Sequence, residues 1–289
     1  MRLSNSIGLV LSVFAICAAG VAAQKNSSGL PQFSPKPTPT PKIEAMRRNF
    51  PKLPAATSDA ELLLLKEYGA MFSAQGVKLP ARIFFKDEAD VTDFQRAAGE
   101  KKKMVARIAV TLQPAALDAL ARAISEAECE GLSITPRSAD ASKRSYLKTV
   151  ELWASRVEPG LNHWVTKGRI TGQEAAKIRS LSPDKQIPEI LRLEKRGIFF
   201  AKSLSKSIIF SVAPPGSSQH LSMLALDVAE FDDAAVRAIL ARHGWFQTVV
   251  SDLPHFTFLG APEQKLPSLG LQKVVDSGRN FWVPVTRTR

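Results

Sequence analysis

Four histidines occur, at positions 163, 220, 243 and 255, and two of them sit among residues suited to holding a metal ion. His220 follows the turn-forming run Ala213-Pro214-Pro215-Gly216-Ser217-Ser218-Gln219, and Asp227 lies farther on in the apolar run Leu224-Ala225-Leu226-Asp227-Val228. A carboxylate in such a run is expensive to bury unless a cation or a metal pairs it. His255 opens another apolar run, with Asp252 shortly before it. Two imidazoles and one carboxylate, with a fourth position open to water, make a catalytic zinc set. Asp252 is the acid near His255 that could serve as general base. Spacing alone leaves a second reading open, in which the histidines at the strand ends are structural. His163, beside Trp164, reads as a packing or surface residue, and His243 as a cation favoured at a helix C-terminus.

These side chains need elements to position them. Strand side chains alternate, so His220 and Asp227, an odd number of residues apart, cannot share a face of one straight strand. Gly216 to about Leu221 is therefore expected to be loop or turn, with the strand beginning later. Leu224–Val228, Trp245–Val250 and His255–Leu259 read as strands, and Ala234–His243 as a helix closed by Gly244. Upstream, helices are expected over Ser58–Gln75, Asp90–Ala98, Pro114–Glu128 and Asp140–Arg156. At least two more fall in Leu161–Arg196, broken by Gly168, Gly172, Pro183 and Pro188. Ala81–Phe85, Met104–Leu112, Gly131–Thr135 and Ser207–Val212 read as short strands. Helices first and strands later give an α+β class with a small antiparallel sheet.

The chain has 289 residues, 45% of them hydrophobic, and a formal net charge of +12. It is long enough for one large domain or two small ones, and its basic balance suits anionic partners such as a cell wall. Lys101–Lys103 is the one notable cationic run, without the aromatic interleaving of a nucleic-acid surface, so no nucleic-acid partner is expected. Residues 1–23 read as a signal peptide: Arg2 leads an apolar stretch, Ile7 to Ala19, too short to span a bilayer comfortably, and Val21-Ala22-Ala23 is a cleavage site. An uncleaved anchor is the alternative. The mature chain is expected to be exported to the periplasm or beyond, with no stable membrane span. Cleavage removes Cys17 and leaves Cys129, which excludes an internal disulfide and reads as a small packing residue near a helix end. Residues 24–43, with Pro35, Pro37, Pro39 and Pro41 alternating, read as an extended linker. Residues 44–100 read as an N-terminal α/β extension and 101–289 as the domain carrying the metal set.

Several short segments resemble one family in one order. Ser218-Gln219-His220, with Ala225 and Asp227, is similar to the Ser-x-His-x-x-Gly-x-Ala-x-Asp motif of the zinc D-Ala-D-Ala carboxypeptidases and related vancomycin-resistance dipeptidases. Asp252-Leu253-Pro254-His255 resembles the family's closing Glu-x-x-His. Thr135-Pro136-Arg137-Ser138 resembles its Ser-Gly-Tyr-Arg-Ser segment, and His243-Gly244-Trp245-Phe246 resembles the helix end and aromatic strand before the last ligand. The resemblance covers roughly residues 104 to 260. Four departures stand out: aspartate at 252 where the family has glutamate, Met223 where the motif has glycine, Pro136 where an aromatic is usual, and a long segment between Arg137 and His220.

The resemblance implies the small α+β fold shared by these peptidases and the Hedgehog signalling domain. It implies Zn²⁺ held by His220, Asp227 and His255, with Asp252 as the catalytic carboxylate. Arg137 would pair with the substrate's carbonyl or carboxylate, and Ser218 would contact it near the scissile bond. The implied partner is a peptidoglycan stem peptide, and the implied activity is zinc-dependent D-Ala-D-Ala hydrolysis. The alternatives are a weak or inactive zinc-containing peptidoglycan-binding protein of the same fold, and a zinc-stabilised structural module.

Overall fold

Side chains cap most of the helices. Ser58 and Glu61 cap each other's backbone N–H groups, at 3.1 and 3.2 Å, and α1 (Asp59–Tyr68) starts there, followed by a 3-10 turn over Gly69–Ser73. Asp87 caps α2 (Glu88–Ala98), accepting the Asp90 N–H at 2.8 Å. α3 (Pro114–Cys129) opens on proline, whose missing N–H is no loss in a first turn. Ser145 caps α4 (Tyr146–Thr166), and a Thr171–Glu174 capping box starts α5 (Gly172–Arg179). α6 (Pro183–Glu194) contains Pro188, which was expected to end a helix. The ring lies so near the start that it deprives only a first-turn carbonyl of its partner. Asp233 caps α7 (Ala234–Arg242), and Gly244 follows it at φ +80.

The computed structural model describes residues 58–285, all within one compact unit. The expected signal peptide, the expected linker and the start of the expected N-terminal extension lie outside the described residues. No described helix is long and apolar enough to cross a membrane. The class is α+β: helices with three small antiparallel sheets.

Met104–Leu112, expected as one strand, is part of a hairpin, β1 (Lys101–Val105) with β2 (Ile108–Leu112). The turn residues Ala106 and Arg107 both have positive φ, 46 and 68. This is the conformation that matches strand twist in a tight hairpin, but Ala-Arg carries none of the Asn-Gly signal that announces it. The Lys101–Lys103 run lies in strand β1. Ala81–Phe85 and Gly131–Thr135 form no strand, and Ser207–Val212 holds a 3-10 turn at Ile208–Phe210. A single bridge, Pro136 with Val228, lies just beyond the second of these. The helix expected from Asp140 begins at Tyr146 instead. Cys129 is exposed on α3 and is not a packing residue. The terminal hairpin, β6 (Leu271–Asp276) with β7 (Arg279–Pro284), was not anticipated.

The sheet that matters for chemistry is β3 (Ala225–Asp227), β5 (His255–Phe258) and β4 (Trp245–Gln247), in the order β3-β5-β4. Its register pairs Leu226 with Phe256 and Trp245 with Phe258 on one face. That face packs on α3 and α7 through Leu117, Leu120, Val236 and Ile239. Alternation sends Asp227, His255 and Thr257 to the opposite face. A second core, including Leu64, Trp153, Ile178, Ile190 and Phe200, joins α1 to α4, α5 and α6.

The loop carrying His220 is pinned by one backbone crossing. Phe85 N–H donates to Gly216 C=O at 2.8 Å, and a Cβ on Gly216, at φ +81, would lie 2.2 Å from the Phe85 oxygen. Gly131 has a similar φ, +70, with nothing within 4 Å. Both alanine substitutions meet left-handed strain of about 1–3 kcal/mol, and Gly216→Ala adds the clash. Thermal melts should show Gly216→Ala clearly the less stable. Equal melting temperatures would mean that the Phe85 crossing is not a constraint.

Candidate metal centre

Gly216 to Ser218 is loop, and His220 lies in a 3-10 turn, Gln219–Ser222, ahead of β3. The irregular segment resolves the alternation problem: His220 reaches the face that Asp227 presents from the strand. The turn ends at Met223 with φ 55 and ψ 36, a left-handed conformation. This is the position where the resembled motif has glycine, and the backbone supplies the reason. Asp227 is the last residue of β3 and His255 the first of β5, directly paired in register.

One metal-ligating atom from each of His220, Asp227 and His255 lies within 4.8 Å of the others. Asp227 Oδ1 is 3.3 Å from His220 Nε2 and 3.2 Å from His255 Nδ1. The two rings meet edge to face, with centroids 4.9 Å apart. Both histidines are buried and Asp227 is nearly so.

The outer hydrogen bonds assign the protons. His220 Nδ1 is 2.7 Å from the Ser142 carbonyl, which can only accept, so the proton sits on Nδ1. Gln219 donates its amide N–H to Tyr68 C=O at 2.8 Å, which turns its oxygen towards His255 Nε2 at 3.0 Å. His255 therefore carries its proton on Nε2. Thr257 also donates to that oxygen and accepts from Thr248, closing the chain of donors. What faces inward is His220 Nε2, His255 Nδ1 and a carboxylate oxygen: three lone pairs with no hydrogen between them. His220 Nε2 is 3.3 Å from Asp227 yet has no properly aligned hydrogen bond, and it is buried.

Protonating an imidazole would relieve this, but burial holds His220 below the ordinary imidazole value, against the pull of Asp227. Burial pushes the Asp227 carboxyl up, and positive charge on the facing imidazoles would more than offset that, holding it well below the ordinary carboxylate range. A cation between the three atoms satisfies all of them, and two nitrogens with one oxygen suit zinc. Each ligand also has the outer partner that such sites use to orient it: Ser142 for His220, Gln219 for His255, and Arg144 for Asp227, with Arg144 Nη2 2.6 Å from Asp227 Oδ2.

His220 and His255 form part of the lining of a cleft of ≈ 190 Å³, and Asp227 contacts both of them from outside the lining. Ser218 and Asp252 line it too, and Asp252 is exposed on the turn before β5, outside the ligand trio. Its neighbour Ser251 donates to Glu67 Oε1 at 2.8 Å. The Arg137 side chain is not brought there. It is exposed, 5.7 Å from the Phe231 ring centre, and only its backbone N–H reaches the site, donating to Asp227 C=O at 2.9 Å. His163 packs edge-on against Trp164, and His243 pairs with Glu126 at 2.6 Å, both away from this cleft. The residues missed in the sequence are Arg144, Arg156, Gln219 and Tyr68, all on the lining. Arg-Ser occurs at Arg137-Ser138 and again a short way on at Arg144-Ser145, and it is Arg144 that brings its side chain to Asp227.

No protein-family profile and no curated protein matches the sequence. Two solved structures match in part. One is VanYB in complex with D-alanine-D-alanine, at 14% identity and a TM-score of 0.33, covering 56% of this chain and 78% of that chain. The other is a zinc(II) complex of an alanine variant of the vancomycin-resistance D,D-pentapeptidase VanY, at 16% identity and a TM-score of 0.33, covering 56% and 80%. A likeness of this size defines neither the fold nor the chemistry, which rest on the chain's own residues.

The trio should hold one zinc per chain. His220→Ala, Asp227→Ala and His255→Ala should abolish it, while His163→Ala and His243→Ala should retain it, as measured by metal analysis after dialysis. Gln219→Ala should weaken zinc binding by about 10–100-fold, the usual effect of losing an outer partner. Equal zinc content in all of these variants would remove the assignment.

Proposed function

We propose that the protein is an exported zinc-dependent peptidase that hydrolyses the D-alanyl-D-alanine end of peptidoglycan stem peptides. The observation that carries this reading is the convergence of one ligating atom each from His220, Asp227 and His255, each residue with an outer partner, beside a cleft that His220 and His255 line. The order of Ser218, His220, Asp227, Asp252 and His255 in the sequence supports the peptide as substrate, and the leader at residues 1–23 supports export. Bound there, zinc supplies Lewis acidity, polarising a carbonyl and making water acidic enough to attack near neutral pH.

The chain's own residues do the rest. Arg144 pairs with Asp227 and orients it, and Gln219 fixes the tautomer of His255. Ser218 offers its hydroxyl to the bound peptide from the cleft wall. Asp252 is the candidate general base, because it lines the same cleft without joining the ligand trio. Its side chain is one methylene shorter than the glutamate of the resembled motif. The turn at Asp252-Leu253-Pro254, where Asp252 C=O accepts the His255 N–H at 3.1 Å, sets how far it reaches.

Zinc-loaded protein incubated with cell-wall fragments should release D-alanine, detected by mass analysis. Asp252→Asn should keep zinc and lose about 10²–10⁴-fold in turnover, as expected for an acid–base group. Asp252→Glu should retain or raise activity. Unchanged hydrolysis by the asparagine variant would take Asp252 out of the mechanism. Binding of wall peptide without any hydrolysis by the wild type would replace the peptidase reading with a peptidoglycan-binding one.

A further inference from the structure

The charges on the cleft wall do not all cancel. Arg144 is committed: it bonds Asp227 at 2.6 Å and lies 4.0 Å from Asp140. Asp140 also accepts from Ser138 at 2.6 Å. Arg156 lines the same cleft and has no carboxylate partner among the described residues. Its hydrogen bonds go to two neutral hydroxyls, Nε to Ser211 Oγ at 3.0 Å and Nη1 to Ser155 Oγ at 2.8 Å. Those bonds fix the plane of the guanidinium and leave Nη2 and one Nη1 hydrogen unused. Among the described residues, Asp252 is the other charged group on the lining without a partner of opposite sign, and it forms no ion pair with Arg156. The cleft thus holds one oriented cation and one carboxylate that do not neutralise each other.

Position explains why this cation belongs to the cleft and not to the general basic surface. Leu152 and Arg156 are one turn apart on α4, and both face the lining. α4 lies in the long segment between Arg137 and His220. An arginine held by hydroxyls with its outer edge free matches a carboxylate in geometry, and fixing it beforehand reduces the ordering needed on binding.

We infer that Arg156 is the anion-recognition residue of the cleft and seats a carboxylate of the bound ligand. This deepens the peptidase reading and rests on it for the choice of peptide probe. The carboxylate has two possible sources, the C-terminus of a peptide or an acidic group within it.

The test is titration of the zinc-loaded full chain carrying Asp252→Asn, so that bound peptide is not consumed. An N-acylated D-alanyl-D-alanine peptide should bind about 10- to 100-fold more weakly when Arg156→Gln is added, the usual effect of losing a charge-assisted hydrogen bond. Arg156→Lys should fall between, keeping the charge without the fork. The same peptide as its C-terminal amide should bind both forms equally. If an amidated peptide with an internal acidic residue still needs Arg156, the internal carboxylate is the source. N-acetylglycine, followed by NMR shifts, separates the inference from the peptidase reading. If no D-alanine peptide binds but N-acetylglycine still requires Arg156, the peptidase reading falls and the anion site stands. The inference is overturned if Arg156→Gln binds the free acid as tightly as its parent does. It is also overturned if the variant weakens acid and amide alike, or if no carboxylate binds at all.

Discussion

Asp227 puts a negative charge in a strand whose neighbours Leu226 and Val228 are wholly buried. Removing a carboxylate from water costs several kcal/mol even after the protein relaxes, so its surroundings must return what hydration supplied. They do so one oxygen at a time. Oδ2 takes the Arg144 guanidinium, and Oδ1 faces the two imidazoles. Even its backbone is occupied, with the N–H donated to Ala141 C=O and the C=O accepting from Arg137 N–H. The stretch from Pro136 to Arg144 therefore wraps the acid as an irregular strap, since a regular strand or helix there could not deliver all these groups to one residue.

The rest of the fold holds that strap and its partners in place. Ser142 bonds the β1–β2 hairpin through its hydroxyl, which accepts the Thr111 N–H, while its carbonyl orients His220. Gln113 ties Ser222 to Lys78, and Gln95 ties Leu221 to Arg144. Tyr68 and Gln95 come from the segment before residue 101, so that segment contributes directly to the order of the site. Among the described residues, three small sheets suffice because the sheet bearing Asp227 and His255 needs only one face of apolar packing, against α3 and α7. The other face is kept for polar work.

The sequence makes some of this legible and hides the rest for physical reasons. His220, Asp227 and His255 stand out because charge and imidazole in apolar runs demand a partner. The parity of their spacing places the loop before β3 correctly. Helix starts are legible at Ser58, Pro114 and Asp233, where capping chemistry is local. The hairpin at Ala106-Arg107 is not, because its turn residues lack any preference for positive φ. Arg144 is hidden because a guanidinium reaches Asp227 across eighty-three positions of sequence, a contact fixed only by tertiary packing. Arg137, which resembles the family's arginine in its segment, instead lends a backbone N–H.

Met223 shows how two demands can meet at one residue. Its backbone sits in the left-handed region, which disfavours a side-chain-bearing residue by about 1–2 kcal/mol. Its side chain is wholly enclosed, with 0% exposure. Glycine would suit the backbone and leave a void; leucine or isoleucine would suit the void and keep or worsen the strain. An unbranched, flexible thioether adapts to an irregular cavity while adding little crowding near its own Cα. Exchanging methionine for glycine here would relieve the backbone and require the surrounding core to gain volume in step. The residue therefore records the shape of the core behind the ligand loop as much as the course of the loop itself.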